Sequence, residues 1–335
     1  MKRTFFVALV IITVFLVAAC KDKKTVSHDK KITMIMAESN PEDSISAWMD
    51  KAFVEKAEEL SGGSITIQLN TDGILGDNSS VMQLMTKPGS NIHLARVSPA
   101  TIVPYNCEKH TLLDIPFTFT SREHFWKFAF SPLAQTILNE PYEKKVGVKG
   151  LFFTEEGFRH FFATKRLEKI SDFAGEKIRT AGNTIMHDIA NVLGGEPVKV
   201  SFSDLYSALQ TGIADVAEQP ISNYLANHFN KIAPFMILDG HQLGIAEVII
   251  TSEAWDSLSE NQQKILVEAG KYAGEYCSKI SQEAENAAQL TLRNEGTEFI
   301  EVNDIAEWQN VCADVRTKAA EANSELYGEI VNLAK

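Results

Sequence analysis

From Ser259 the chain reads "SENQQKILVEAGKYAGEYCSKISQEAENAAQLTLRNEG", with no proline before Gly296. Ser259 and Gln262 have the spacing of a capping box, in which a hydroxyl and an amide each satisfy an orphan N–H of the first turn. The stretch predicts one helix of over about 30 residues, roughly 50 Å long. That length outgrows a single small domain, so the helix has to run across two.

The segments upstream show what it runs across. "KITMIMA" predicts a strand, and Ile45, Trp48, Met49, Ala52, Phe53, Ala57 and Leu60 then recur at helical spacing until "SGG" stops the helix. "SITIQLN" follows with the alternation of a second strand. Strand, helix and strand in some forty residues make a βαβ unit, which implies a parallel pair and a right-handed connection. The pattern continues with short strands at "VKGLFFT", "KIRT", "AEVIITS" and "TEFIEV", and with helices over 184–193 and 304–333. In "SFSDLYSALQTG", Ser203 is expected as N-cap and Gly212 as the stop, and residues 213–216 as the next strand.

The N-terminus is read apart from the fold. "MKRTFFVALVIITVFLVAAC" has two basic residues, an apolar run shorter than the roughly 20 residues that span a bilayer, and small residues before Cys20. This is the layout of a lipoprotein signal peptide over residues 1–19, with lipid attached at Cys20. Residues 20–31, "CKDKKTVSHDKK", are charged with little to bury and read as a tether. Loss of Lys2 and Arg3 moves the net charge from −12 to about −14. An acidic body lacks the Lys and Arg that neutralise a nucleic-acid backbone, so nucleic acid is excluded as a partner. The other cysteines, Cys107, Cys277 and Cys312, form no CxxC pair and are odd in number, so they cannot all pair internally.

Catalytic signatures are missing: the chain has no GxSxG, HExxH, GxGxxG or Walker loop. None of the eight histidines pairs with another at i+3 or i+4, which argues against a zinc site built from sequence-local histidines. His160 and His241 are expected to be structural. The carboxylates Asp114 with Glu123, and Asp215 with Glu218, do not by themselves define an acid and base couple. The reading is of a protein without cofactor or metal and without enzymatic activity.

Three blocks carry a resemblance. "DFAGEKIRT", "LGGEPVKVSFSDLYSALQTGIADVAEQP" and "WDSLSENQQKILVEA" resemble the core of the DctP family, the solute-binding proteins of tripartite ATP-independent periplasmic (TRAP) transporters. The likeness runs from about Lys31 to Leu333 and includes "DIPF" and "SGGSITIQLNTDGILGD". It implies an α/β, two-domain periplasmic binding fold (type II-like), with two parallel-rich mixed sheets flanked by helices, a long helix spanning both domains, and a cleft that closes on ligand. The expected division is 32–156 plus 245–284 for domain I, and 157–244 plus 285–335 for domain II.

The resemblance also assigns roles. The arginine of the family's "KIR" motif grips an organic acid and matches Arg179; a planar guanidinium fits a carboxylate with paired donors, which lysine cannot reproduce. A second family arginine matches Arg159, which either contacts the ligand or orients its neighbours. The family's "DGQENP" reads "DVAEQP" here, putting Gln219 where a ligand-facing asparagine stands, one methylene longer. Arg96 is expected at a lining position, adding positive charge or pairing with Glu38 or Asp77. Glu38 and Asp77 are each expected as a ligand contact or a loop cap. The implied partners are a small organic acid, a TRAP permease in the membrane, and a lipid anchor on a bacterial membrane. A solute sensor, a docking lipoprotein carrying a more hydrophobic ligand beside another periplasmic lipoprotein, and an exported enzyme stand as the alternatives.

Overall fold

The computed structural model describes residues 29–335. The expected signal peptide, Cys20 and most of the tether lie outside the described residues. The first βαβ unit forms as its patterning predicts: β1 (Ile32–Ala37), a helix Ile45–Ser61, then β2 (Ile65–Asn70), with Ile32 opposite Ile65 in a parallel pair. The Ser44 hydroxyl caps the helix by accepting from the Ala47 N–H, and Gly62 ends it at φ 59°, where a side chain would be strained.

Seven further strands follow: β3 (Leu94–Val97), β4 (Val148–Ala163), β5 (Lys177–Arg179), β6 (Glu196–Val198), β7 (Val216–Pro220), β8 (Phe235–Thr251) and β9 (Glu298–Glu301). Their order is β2-β1-β3-β8-β4-β7-β5-β6, with β9 added on β8. The two expected sheets are thus joined into one. β2-β1-β3 and β7-β5-β6 are the parallel-rich parts, and the antiparallel pair β8–β4 links them. β4 and β8 hold 16 and 17 residues and run through both halves. The sequence suggests only the apolar ends of these strands, because their middles, "TEEGFRHFF" and "LDGHQLG", interrupt the alternation with charge and glycine. At that interruption β4 carries a bulge between Glu155 and Phe158, with Gly157 at φ 99°.

The long helix spans Glu260–Asn294, 35 residues, and both halves of the Ser259–Gln262 capping box are made. It contributes Leu266, Ala269 and Ala273 to a core with Met34, Phe53, Leu94 and Val248, and Ala288 and Leu292 to a second core with Phe162, Leu205, Tyr224 and Met236. One helix therefore serves both halves of the sheet.

Three local expectations are corrected. The helix before Gly212 begins at Leu205 after Asp204, while the Ser201 hydroxyl, not Ser203, accepts from the Asp204 N–H; Gly212 ends the helix at φ 73° as expected. The following strand starts at Val216, since residues 213–215 turn first. The single terminal helix is broken into Ile305–Val311, Ala313–Ala320 and Ser324–Asn332, which brings Trp308, Val315 and Ile330 onto one core. A straight helix would carry their ends about 40 Å apart. Cys107, Cys277 and Cys312 are buried free thiols.

Candidate ligand-binding cleft

The loops at the C-terminal ends of β1, β3 and β5 open onto a cavity of about 490 Å³, a size suited to a small solute. Its wall holds three arginines, Arg96, Arg159 and Arg179, and these differ in their partners.

Arg96, on β3, is 5% exposed and surrounded by acid. Its Nε donates to Glu38 Oε2 at 2.6 Å, its Nη2 to Glu38 Oε1 at 3.2 Å, and its Nη1 pairs with Glu156. Asp50 Oδ2 lies 3.7 Å from Nε. Burial works against the charge of Arg96, but Glu156, Glu38 and Asp50 outweigh it and raise its pKa well above the ordinary value. Asp50 is fully buried; burial first, and then the charge of Glu38, raise its pKa well above the usual carboxylate value and favour the neutral acid.

Arg159, on β4, pairs through Nε with Glu218 on β7, and its Nη2 donates to the Glu218 carbonyl at 3.2 Å. The strands hold the two in place, since Arg159 and Pro220 are register partners and His160 faces Gln219. Arg179, the last residue of β5, is 4% exposed. Its Nε donates to the Val200 carbonyl at 3.1 Å, and among the described residues it carries no salt bridge. Burial lowers its pKa to about 10, with Glu218 opposing and Arg159 adding to the fall. It is a cation desolvated in advance of any counter-charge.

The other walls are hydrogen-bonding groups. Asn223 donates to Glu156 Oε2 at 2.7 Å, while its Oδ1 has no partner among the described residues. Asp114 accepts from Gln242 Nε2 at 2.9 Å; burial pushes its pKa up to about 7 against the pull of Arg159. Gln219 lines the cavity from β7.

Of the residues singled out from sequence, Arg96, Arg159, Arg179, Gln219 and Asp77 line the cavity. Glu38 does not: it sits behind the wall, 2% exposed, holding Arg96 and the Asn40 backbone N–H at 2.6 Å. Asp77 lines the rim and also caps the helix Asn78–Met85, accepting from the Ser80 N–H at 2.8 Å. Glu218 also stands in the cavity wall, whereas Asp215 accepts from the Lys177 N–H outside it. Asp114, Glu156, Asn223 and Gln242 were missed. Only "DIPF" marked one of them, because a lone carboxylate or amide has no local signature. His160 and His241 are structural: Gly240 donates its N–H to His160 Nδ1 at 2.9 Å, and His241 stacks on Phe161 and contacts Asp239 at 2.6 Å.

A sheet with two parallel-rich parts, and a cleft holding a buried guanidinium with no salt bridge among the described residues, suit a solute-binding protein of the two-domain periplasmic type. The sequence model of "Bacterial extracellular solute-binding protein, family 7" (DctP) matches residues 36–323, and the chain belongs to that family. It is 27% identical over 273 residues to the C4-dicarboxylate-binding periplasmic protein DctP of Rhodobacter capsulatus, covering 80% of each chain. It is 27% identical over 258 residues to the 2,3-diketo-L-gulonate-binding periplasmic protein YiaO of Escherichia coli, covering 75% of each. Among solved structures, it resembles a TRAP periplasmic solute-binding protein from Pseudomonas putida F1 with bound D-glucuronate (TM-score 0.85, 25% identity, 89% of this chain and 96% of that one). It also resembles one from Polaromonas sp. JS666 bound to D-erythronate (TM-score 0.84, 27% identity, 90% and 98%). No described helix is long and apolar enough to cross a membrane.

Proposed function

We propose that this chain is the extracytoplasmic solute-binding lipoprotein of a TRAP transporter, that it takes a sugar acid with one carboxylate, and that it delivers it to an ion-gradient-driven permease. The observation that carries the reading is Arg179, a buried arginine with no salt bridge among the described residues, facing a cavity. A ligand carboxylate supplies the missing counter-charge in bidentate geometry. Arg96 and Arg159 are already compensated by Glu38, Glu156 and Glu218 and leave no vacancy for a second carboxylate. The remaining groups, Asp114, Glu218, Asn223, Gln242 and Gln219, are suited to hydroxyls. D-glucuronate and D-erythronate, held by the structural relatives, have that combination of one carboxylate and several hydroxyls.

In this reading Arg159, its charge already met by Glu218, orients the neighbouring groups that take hydroxyls, Arg96 is a clamp behind the ligand, and Asp77 stands at the rim. The halves divide at 156/157, 244/245 and 284/285 and close by bending at Gly157. Binding without conversion is the whole of the activity. Cys20 carries lipid and residues 20–31 tether the body to the membrane.

Native mass spectrometry of the purified protein, followed by extraction of what it carries, tests the reading. The expected result is a monocarboxylic sugar acid released unchanged. A neutral or cationic ligand, or a chemically altered product, refutes it. For the anchor, the Cys20→Ala chain is expected to lose incorporation of labelled palmitate; retained label refutes lipidation at that residue.

A further inference from the structure

Apart from the cleft lining, a thiol, an imidazole and two carboxylates, all buried, converge in the half of the sheet formed by β1–β3. Cys107 and His110 come from the segment after β3, Glu140 opens the short helix Glu140–Glu143, and Glu247 projects from β8. Cys107, His110 and Glu247 are 0% exposed and Glu140 is 2% exposed. One ligand atom each from Cys107, His110 and Glu140 lies within 4.8 Å of the others. On the far side of the ring, His110 Nε2 stands 3.3 Å from Glu247 Oε1, and neither oxygen of that buried carboxylate has any other polar partner among the described residues.

We propose that Cys107, His110 and Glu140 bind a divalent metal ion of zinc's type, with Glu247 orienting the His110 ring. Thiolate, imidazole and carboxylate together suit a borderline-soft ion that accepts four-coordinate geometry. Two light-atom donors about 2.1 Å from zinc at the tetrahedral angle stand about 3.4 Å apart. His110 Nδ1 and Glu140 Oε2 are 3.2 Å apart. A carboxylate on the second ring nitrogen is the usual support of a metal-bound histidine, since it fixes the tautomer that leaves the first nitrogen free to ligate. The i, i+3 spacing of Cys107 and His110 is the one local trace of the site in the sequence.

Charge balance favours the exchange. Without metal, an imidazolium at His110 lies between Glu140 and Glu247, and Lys144 Nζ is 3.2 Å from Glu140 Oε1. Uptake is M²⁺ + Cys107–SH + His110–H⁺ → M(Cys107–S⁻)(His110)(Glu140) + 2 H⁺, with no oxidant or reductant. The two charges of the ion replace two protons, so the net buried charge does not change and no uncompensated charge is created. Binding ties the segment after β3 to the Glu140 helix and stabilises the folded state by mass action.

The charged groups facing Cys107 and His110 are Glu140, Glu247, Lys109 and Lys144.

The test uses the full chain stripped with chelator and titrated with Zn²⁺ alone, and with Co²⁺ as a spectroscopic probe. The expected results are one zinc per chain, close to two protons released in calorimetry across buffers of different ionisation enthalpy, and a near-ultraviolet thiolate-to-cobalt charge-transfer band. Cys107→Ser is expected to abolish the band, Cys277→Ser to keep it, and Glu247→Gln to weaken zinc binding 10- to 100-fold. Substoichiometric zinc, no proton release or no cobalt band in the unmodified chain overturns the proposal, as does a band that survives Cys107→Ser. The unmodified chain decides the matter even if a variant fails to fold.

Discussion

Replacing Arg179 by methionine separates what the residue does for binding from what it does to stability. The guanidinium is 4% exposed and has no salt bridge among the described residues. The fall of its pKa from the ordinary arginine value to about 10, at 1.36 kcal/mol per unit, corresponds to about 3 kcal/mol of destabilisation of the ligand-free fold. Because the folded pKa is lowered for a base, the penalty is complete below about pH 10 and fades as pH rises from there toward the ordinary arginine value. At neutral pH, Arg179→Met removes the penalty and loses one hydrogen bond, to the Val200 carbonyl, worth about 1 kcal/mol. The ligand-free variant is therefore expected to unfold at about 2 kcal/mol higher stability in denaturant titration. Its affinity for a sugar acid falls, since losing one partner of a buried charge pair costs about 2–5 kcal/mol. At 1.4 kcal/mol per tenfold, that is a factor of about 30 to several thousand. Arg179→Lys is expected to lose most of the affinity as well, because a lysine cannot match the bidentate geometry. Calorimetry finding either variant within threefold of the unmodified protein would refute the assignment.

Three further outcomes follow from individual contacts. Asp114 has a folded pKa of about 7 against an ordinary 3.8, so its contribution is favourable at acid pH and is lost as pH rises from about 4 to 7; Asp114→Asn is expected to flatten that slope and to gain up to about 4 kcal/mol at pH 8 in urea unfolding. At Gly157, with φ 99°, a Cβ would collide with Glu285 Oε2 and come 3.1 Å from Arg122 Nη2; Gly157→Ala is expected to cost at least about 2 kcal/mol of stability by denaturant titration. Ser259→Ala removes the cap of the long helix and is expected to cost about 1 kcal/mol with no change in ligand affinity by calorimetry.

How far the sequence disclosed the fold depended on whether a signal was local. The long helix was legible because its capping box and its freedom from proline are contiguous features, and the first βαβ unit because its periods are clean. β4 and β8 were legible only at their apolar ends. Their middles pass the cleft, where Glu156, Arg159 and Gln242 replace the alternation that marks a strand. Likewise Arg179 lies in a contiguous motif, but the partners that distinguish the three arginines do not. Whether Arg96 and Arg159 face a ligand or a glutamate depends on residues 58 and 59 positions away in the chain, Glu38 and Glu218. The same pairing explains why Glu38 moved behind the wall and Glu218 into it.

The proposed function requires one vacancy for negative charge in the cleft and a set of hydroxyl partners around it. Isothermal calorimetry of the unmodified protein against D-glucuronate, D-galacturonate, succinate and D-glucose at one pH tests this directly. At least one sugar acid is expected to bind, at least about tenfold more tightly than succinate, and glucose is expected not to bind measurably. Glucose binding as tightly as the acids, or succinate binding more tightly than either uronate, contradicts it.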